Sequence, residues 1–184
     1  MENAMTDQTS DAYALLVGDR AHKIAALLSR EILPTERSLR VRALTDAGRE
    51  IFSLFPVEYR PRESLFQAIT AAGVYLNRFR PLAPWSFIGS EIRSGNCIFD
   101  LAFESDSGIL IDEIKLGLGR ANEAKVREQL NRYVVEGKQV WGDRFIGVRL
   151  CPVNEPRASR LYPANSKNST LVSDLAIAQS LEIR

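Results

Sequence analysis

Cys97-Ile-Phe-Asp-Leu-Ala-Phe-Glu104, Ser105-Asp-Ser-Gly108 and Ile109-Leu-Ile-Asp-Glu-Ile-Lys-Leu116 follow one another without a break, and their order decides the fold. Two runs rich in β-branched, aromatic and other apolar residues flank four small polar residues ending in glycine, which is the pattern of a β-hairpin. A two-residue or a four-residue loop centred on Asp106 and Ser107 gives one and the same register, with Asp100 opposite Glu113. Carboxylates opposed across a ladder sit roughly 5 Å apart at Cβ and repel, so a sheet avoids them unless a cation lies between. Lys115 projects from the face of Glu113, and Asp112 from the other face. Both runs are apolar on both parities, as expected of a sheet covered on its two sides. The plainer alternative is a solvated strand face that carries Glu-x-Lys for solubility, and an odd-length loop would slip the register and separate the acids.

Outward from the hairpin, period and punctuation predict the remaining elements. Residues 1–10 are polar and read as a disordered tail, with Met5 a candidate start. Asp11 caps an expected helix to Ile32 with a stripe of Leu15, Leu16, Ile24, Leu27 and Leu28. Glu36 to Leu54 reads as a second helix weakened by Gly48, and Arg62 to Phe79 as a third. Pro81 and Pro84 lead into a strand from Ser86 to Arg93, followed by the hairpin strands Asn96–Glu104 and Ile109–Leu116. A helix from Ala121 to Glu136 and a strand from Phe145 to Pro152 come next. Glu155 to Asn168 reads as loop, and Thr170 or Ser173 opens a last helix ending near Leu181. The expected organisation is a tail, 1–10, and a single domain, 11–184, divided into a helical portion (11–80), a core (86–153) and a C-terminal loop and helix (154–184).

Composition bounds the partners. The chain has 184 residues, 45% hydrophobic and 26% charged, enough to bury a core. No apolar run reaches the ~20 residues that cross a bilayer, and the first residues lack signal-peptide character, so no membrane partner and a cytoplasmic location are expected. Cys97 and Cys151, far apart and without metal-ligand spacing, read as small buried hydrophobes. A formal charge of +1 gives no global attraction to nucleic acid, so binding would rely on local patches.

Asp100 on one strand, Glu113-x-Lys115 on the next and a helix after them resemble the PD-(D/E)XK nuclease superfamily. Gln129-x-x-x-Tyr133 on that helix is similar to the RecB-like branch, and Gly18-Asp-Arg-Ala-His22 matches that branch's Gly-x-x-x-His with the only histidine of the chain. The resemblance covers about Ser86 to Val153 and, more thinly, the first third. Phe99 stands where the family usually has Pro or a small polar residue, and the four cysteines that hold an iron–sulfur cluster in some RecB-like members are missing.

The resemblance implies an α/β fold with an α+β mixed sheet. Its core would be restriction-endonuclease-like, ordered helix–three strands–helix–strand, with an N-terminal helical extension. It implies a metal-dependent nuclease hydrolysing phosphodiester bonds in DNA, with Mg²⁺ as cofactor and Mn²⁺ able to substitute. Mg²⁺ asks for one or two carboxylates and keeps several waters. Asp100 and Glu113 would supply these, with the Ile114 carbonyl and, by the same resemblance, His22 as further ligands. Lys115 would orient or deprotonate the attacking water or stabilise the phosphate, Gln129 would hold a phosphate or that water, and Tyr133 would pack near the cleaved strand. A homodimer or a larger nuclease complex would be the assembly.

Each residue also has a plainer reading. Gln129 and Tyr133 suit an ordinary amphipathic flank with Tyr133 partly in the core, and His22 suits packing on its helix. Glu63 and Glu91 compete for the first-helix acid of other branches, Glu63 also serving to stabilise a helix N-terminus. Asp112 reads as a strand acid bonded to a helix end or loop. Arg120, Lys125 and Arg132, with Arg127, Arg157, Arg160 and Lys167, are candidate phosphate contacts, and Gly117 and Gly119 would let backbone approach a phosphate. A solvated charged face would have the same sequence.

Two other functions fit parts of the chain. Arg37-Ser-Leu-Arg-Val-Arg-Ala-Leu-Thr-Asp-Ala-Gly-Arg-Glu-Ile51 resembles the wing strand and following helix of MarR-like winged-helix regulators, which would make a DNA-binding module. A nuclease fold without activity, serving as an assembly subunit, is the other.

Overall fold

The structure, a computed structural model, describes residues 3–56, 62–118 and 123–165. Among these residues the chain forms four α-helices and a five-stranded mixed sheet. It divides into two compact units, 1–76 and 77–184, each with its own internal packing.

The first unit is helical: α1 (Asn3–Ser29), α2 (Arg37–Ser53) and most of α3 (Arg62–Arg78). Helix α1 begins at Asn3, so residues 3–10 of the stretch expected to be a disordered tail are helical. Ile24 and Leu28 of the expected stripe are buried, joined by Val17, Ala21 and Ala25, while Leu16 and Leu27 are half-buried and Leu15 is exposed. Arg20 on the same helix is fully buried. Its Nη1 donates to Ser64 Oγ at 2.8 Å, and its guanidinium lies 4.2 Å from the centroid of Phe52 and 4.7 Å from that of Phe55. A cation sandwiched by ring faces is compensated for lost water. Gly48, expected to weaken α2, earns its place by contact: a Cβ there would come within 2.6 Å of Ile69, so its absence lets α2 and α3 approach closely. The segment read as a wing strand, from Arg37, is helical throughout α2, which removes the strand that the winged-helix alternative requires.

The second unit carries β1 (Ser86–Ser94), β2 (Cys97–Ser105), β3 (Gly108–Lys115), α4 (Glu123–Trp141), β4 (Phe145–Pro152) and β5 (Arg160–Pro163) in the spatial order β1-β2-β3-β4-β5. Strands β1, β2 and β3 are antiparallel, β4 runs parallel to β3 after the α4 crossover, and β5 is antiparallel to β4. The hairpin closes with a two-residue loop, Ser105 pairing Gly108, and continues to Leu101 opposite Asp112, the predicted register. Strands β3 and β4 are buried on both parities, as their apolar runs imply. Phe99, Ile111, Leu130, Tyr133, Phe145 and Val148 form the centre of the core beneath α4.

Helix α4 extends to Trp141, five residues past its expected end at Glu136. Gly137 lies against Phe145, where a Cβ would come within 2.3 Å of the ring, so it sets the packing distance of the helix on β4. Strand β5 falls in the stretch expected to be loop and pairs there with β4. The last helix expected from Thr170 or Ser173 lies outside the described residues.

Candidate metal and phosphodiester site

The site lies where two strands part. Strand β2 pairs with β3 only from Ser105 to Leu101, whereas its pairing with β1 continues to Cys97. Ala102 and Phe99 both belong to the core beneath α4 although an odd number of positions separates them, so the alternation of β2 breaks between them. Asp100 sits at that break. Its carboxylate takes over from the ladder, Oδ2 accepting the Ile114 N–H at 2.9 Å. Across from it on β1, Glu91 is at φ 50°, where the pairing of β1 with β2 steps from Ser90–Leu101 to Ile92–Phe99. A non-glycine residue with such a φ is strained and tends to mark a functional site.

Glu113 is the next residue of β3 after the last paired position and is 1% exposed. Its Oε1 receives two donors, Lys115 Nζ at 2.6 Å and Gln129 Nε2 at 2.9 Å. The same amide nitrogen donates to Tyr133 Oη at 2.9 Å, and the Tyr133 hydroxyl donates to the Ile98 carbonyl at 2.7 Å. The chain of bonds therefore runs from the β2 backbone through α4 to the β3 carboxylate. Burial, and next the Glu113 charge, raise the Tyr133 phenol above its ordinary value, so it stays a neutral O–H donor.

Burial pushes the Asp100 carboxyl up to about 6, opposed by the Lys115 charge, the Ile114 amide and a hydrogen bond with the Glu113 carboxyl, while Glu91 adds to the rise. Burial outweighs these opposing contacts, so the Asp100 carboxyl holds its proton more tightly than it would in water. The two carboxyls suit a hard cation.

Most of the predicted constellation is brought together: Asp100, Glu113, Lys115, Gln129 and Tyr133 form one connected group. Gln129 does not project toward open space, as expected of a phosphate ligand, but braces Glu113. Tyr133 is a core residue whose ring packs edge-on against Phe99 at 5.2 Å. His22 lies half-buried on α1 in the first unit, and Glu63 in the first turn of α3. Among the described residues no group of three or more His, Cys, Asp or Glu side chains is disposed to hold a metal ion. Lys125 is exposed one turn before Gln129, Arg132 is exposed and paired with Glu128 at 2.9 Å, and Arg160 pairs with Glu123 at 3.5 Å. Arg120, Gly119 and Lys167 lie outside the described residues.

Asp112 differs from expectation. It pairs with Arg149 on β4, directly beside it in the parallel register. Arg149 Nε donates to Asp112 Oδ1 at 2.8 Å and Nη2 to Oδ2 at 2.7 Å, and the same Nη2 donates to the Phe79 carbonyl. Sequence reasoning passed over Arg149, though one signal was there: an acid and an arginine each stood alone on the buried parity of an apolar strand, a placement that calls for a partner.

Comparison with known proteins finds no matching family model, no matching curated protein and no matching solved structure. Among the described residues no helix is long and apolar enough to cross a membrane.

Proposed function

We propose that this protein is a divalent-metal-dependent nuclease that hydrolyses phosphodiester bonds in DNA, built on a restriction-endonuclease-like core. The observation that carries the reading is the convergence of Asp100, Glu113 and Lys115 at the fork between β2 and β3, with Gln129 bracing Glu113. The order helix, three antiparallel strands, crossover helix and parallel strand supports the core assignment.

The donor set fits Mg²⁺ or Mn²⁺. Asp100, Glu113 and the Ile114 carbonyl are all hard oxygen donors, few enough to leave room for water. The raised Asp100 value marks a buried carboxyl whose charged form a cation would favour. An ion held there supplies Lewis-acid neutralisation of phosphate charge and makes a bound water more acidic.

The chain's own groups divide the rest of the work. Gln129 fixes the rotation of the Glu113 carboxylate by donating to Oε1, and Tyr133 fixes Gln129 by accepting its second N–H. The ammonium of Lys115 lies at the same carboxylate oxygen, positioned to orient a water or to meet negative charge growing on a phosphate. Lys125, one turn up the same face of α4, can meet a flanking phosphate.

Incubation of supercoiled plasmid with the protein and Mg²⁺ or Mn²⁺ tests the reading. Cleavage is expected from the wild type and a loss of about 10²–10⁴-fold from Asp100→Ala and Lys115→Ala, each folded by circular dichroism. Equal cleavage by wild type and both variants, or none by wild type with either metal, would overturn it.

A further inference from the structure

We propose that Arg149 is a positioning residue of this site, holding Glu113, Ile114 and Lys115 in register with Asp100 through its two-pronged bond to Asp112. The argument starts from what β3 loses at the fork. Beyond Asp112 the strand has no further paired residue on β2, and the Asp100 side chain accepts the Ile114 N–H there. The backbone ladder of the segment bearing the carboxylate and the ammonium then continues on the β4 side, Glu113 beside Leu150, Ile114 beside Cys151 and Lys115 beside Pro152. A strand end held along one edge is free to fray or twist.

Arg149 acts at the residue where that hold begins. Asp112 is both the last partner of β2 and the register neighbour of Arg149. The guanidinium meets both carboxylate oxygens, and its remaining donor capacity reaches the Phe79 carbonyl just past the end of α3. Asp112 is 0% and Arg149 3% exposed. A buried ion pair is a poor source of net stability compared with apolar residues of the same volume, and is kept where it fixes one arrangement over others. Here the arrangement fixed is the rotation and register of the residue that precedes Glu113. Planar two-pronged geometry does this, and a lysine would not.

The proposal rests on the preceding functional reading for its catalytic consequence but not for its structural one, and the test reads both. Amide hydrogen exchange by NMR on the full chain compares the wild type with Asp112→Leu/Arg149→Met, in which the pair is replaced by apolar residues. The Ile114 amide should exchange about tenfold faster or more through local opening, while the amides of Ile109 to Ile111, inside the shared ladder, keep their rates. Arg149→Lys, which keeps the charge and loses the fork, should show the same local effect and serves if the double variant fails to fold. Unchanged Ile114 exchange, or uniform acceleration along β3, would overturn the proposal. On the catalytic side, Mn²⁺ affinity and plasmid cleavage should fall about 10–100-fold in the same variants. If wild type neither binds Mn²⁺ nor cleaves, the nuclease reading fails, and the exchange rates still decide what Arg149 does.

Discussion

The hairpin register, the same for a two-residue or a four-residue loop and so legible in the sequence, puts Leu101 opposite Asp112 and leaves Asp100 and Glu113 at the next position, where the ladder ends. What the neighbours do to each other is physical chemistry. The folded Asp100 value of about 6 lies above the ordinary 3.8, so the folded, metal-free chain binds this proton more tightly than the unfolded chain. That contribution to stability is present in full below the ordinary value and is lost as pH rises through about 6. Asp100→Asn, neutral at every pH, should therefore raise the melting temperature in EDTA more above about pH 7 than below about pH 4. A shift independent of pH would contradict the burial that raises the Asp100 carboxyl. Gln129 was legible as part of a strip on its helix but not as a brace, because spacing along a helix says which residues share a face and not what that face meets. Gln129→Leu should keep the fold and lower Mn²⁺ affinity about 10–100-fold by titration calorimetry, as loss of an outer-shell partner does. Burial raises both thiols, Cys151 far above its ordinary value, so neither Cys97 nor Cys151 should react with iodoacetamide until denaturant is added.

Among the elements, the hairpin and the third helix were readable because loop chemistry and apolar period agree there. The limits of α4 were not, because a glycine inside a helix has two meanings. Gly137 is a poor helix former by propensity, yet it faces Phe145 across a gap that admits no methyl group. Gly137→Ala should therefore destabilise despite its better helix propensity, by about 1–3 kcal/mol, seen as a lower urea midpoint with an unchanged slope. Stability equal to or above wild type would mean that α4 sits farther from β4. Strand β5 was invisible because four residues carry too little pattern; it pairs along the β4 edge. The break at Asp100 was equally hidden. It depends on where β2 stops pairing with β3, and on the strained Glu91 opposite, neither of which has a local signature.

Over the whole molecule, composition gave the right scale of answer: a mixed α/β chain with few cysteines, a charge near neutrality and no membrane-spanning helix among the described residues. The division near residue 76 falls within α3, close to residue 80, where the expected helical portion ends. With a formal charge of +1, affinity for DNA would come from local contacts and depend on salt accordingly. In Ca²⁺, Lys125→Ala should flatten the slope of log affinity against log salt by about 0.9, and Arg132→Ala, already engaged by Glu128, by less. Equal slopes for wild type and Lys125→Ala would place the contact surface elsewhere. The most direct measurement is an anomalous diffraction map from crystals soaked in Mn²⁺. A peak bonded to oxygens of both Asp100 and Glu113 is the predicted result, and a map with Lys115 still seated on Glu113 and no peak between the two acids would contradict the account.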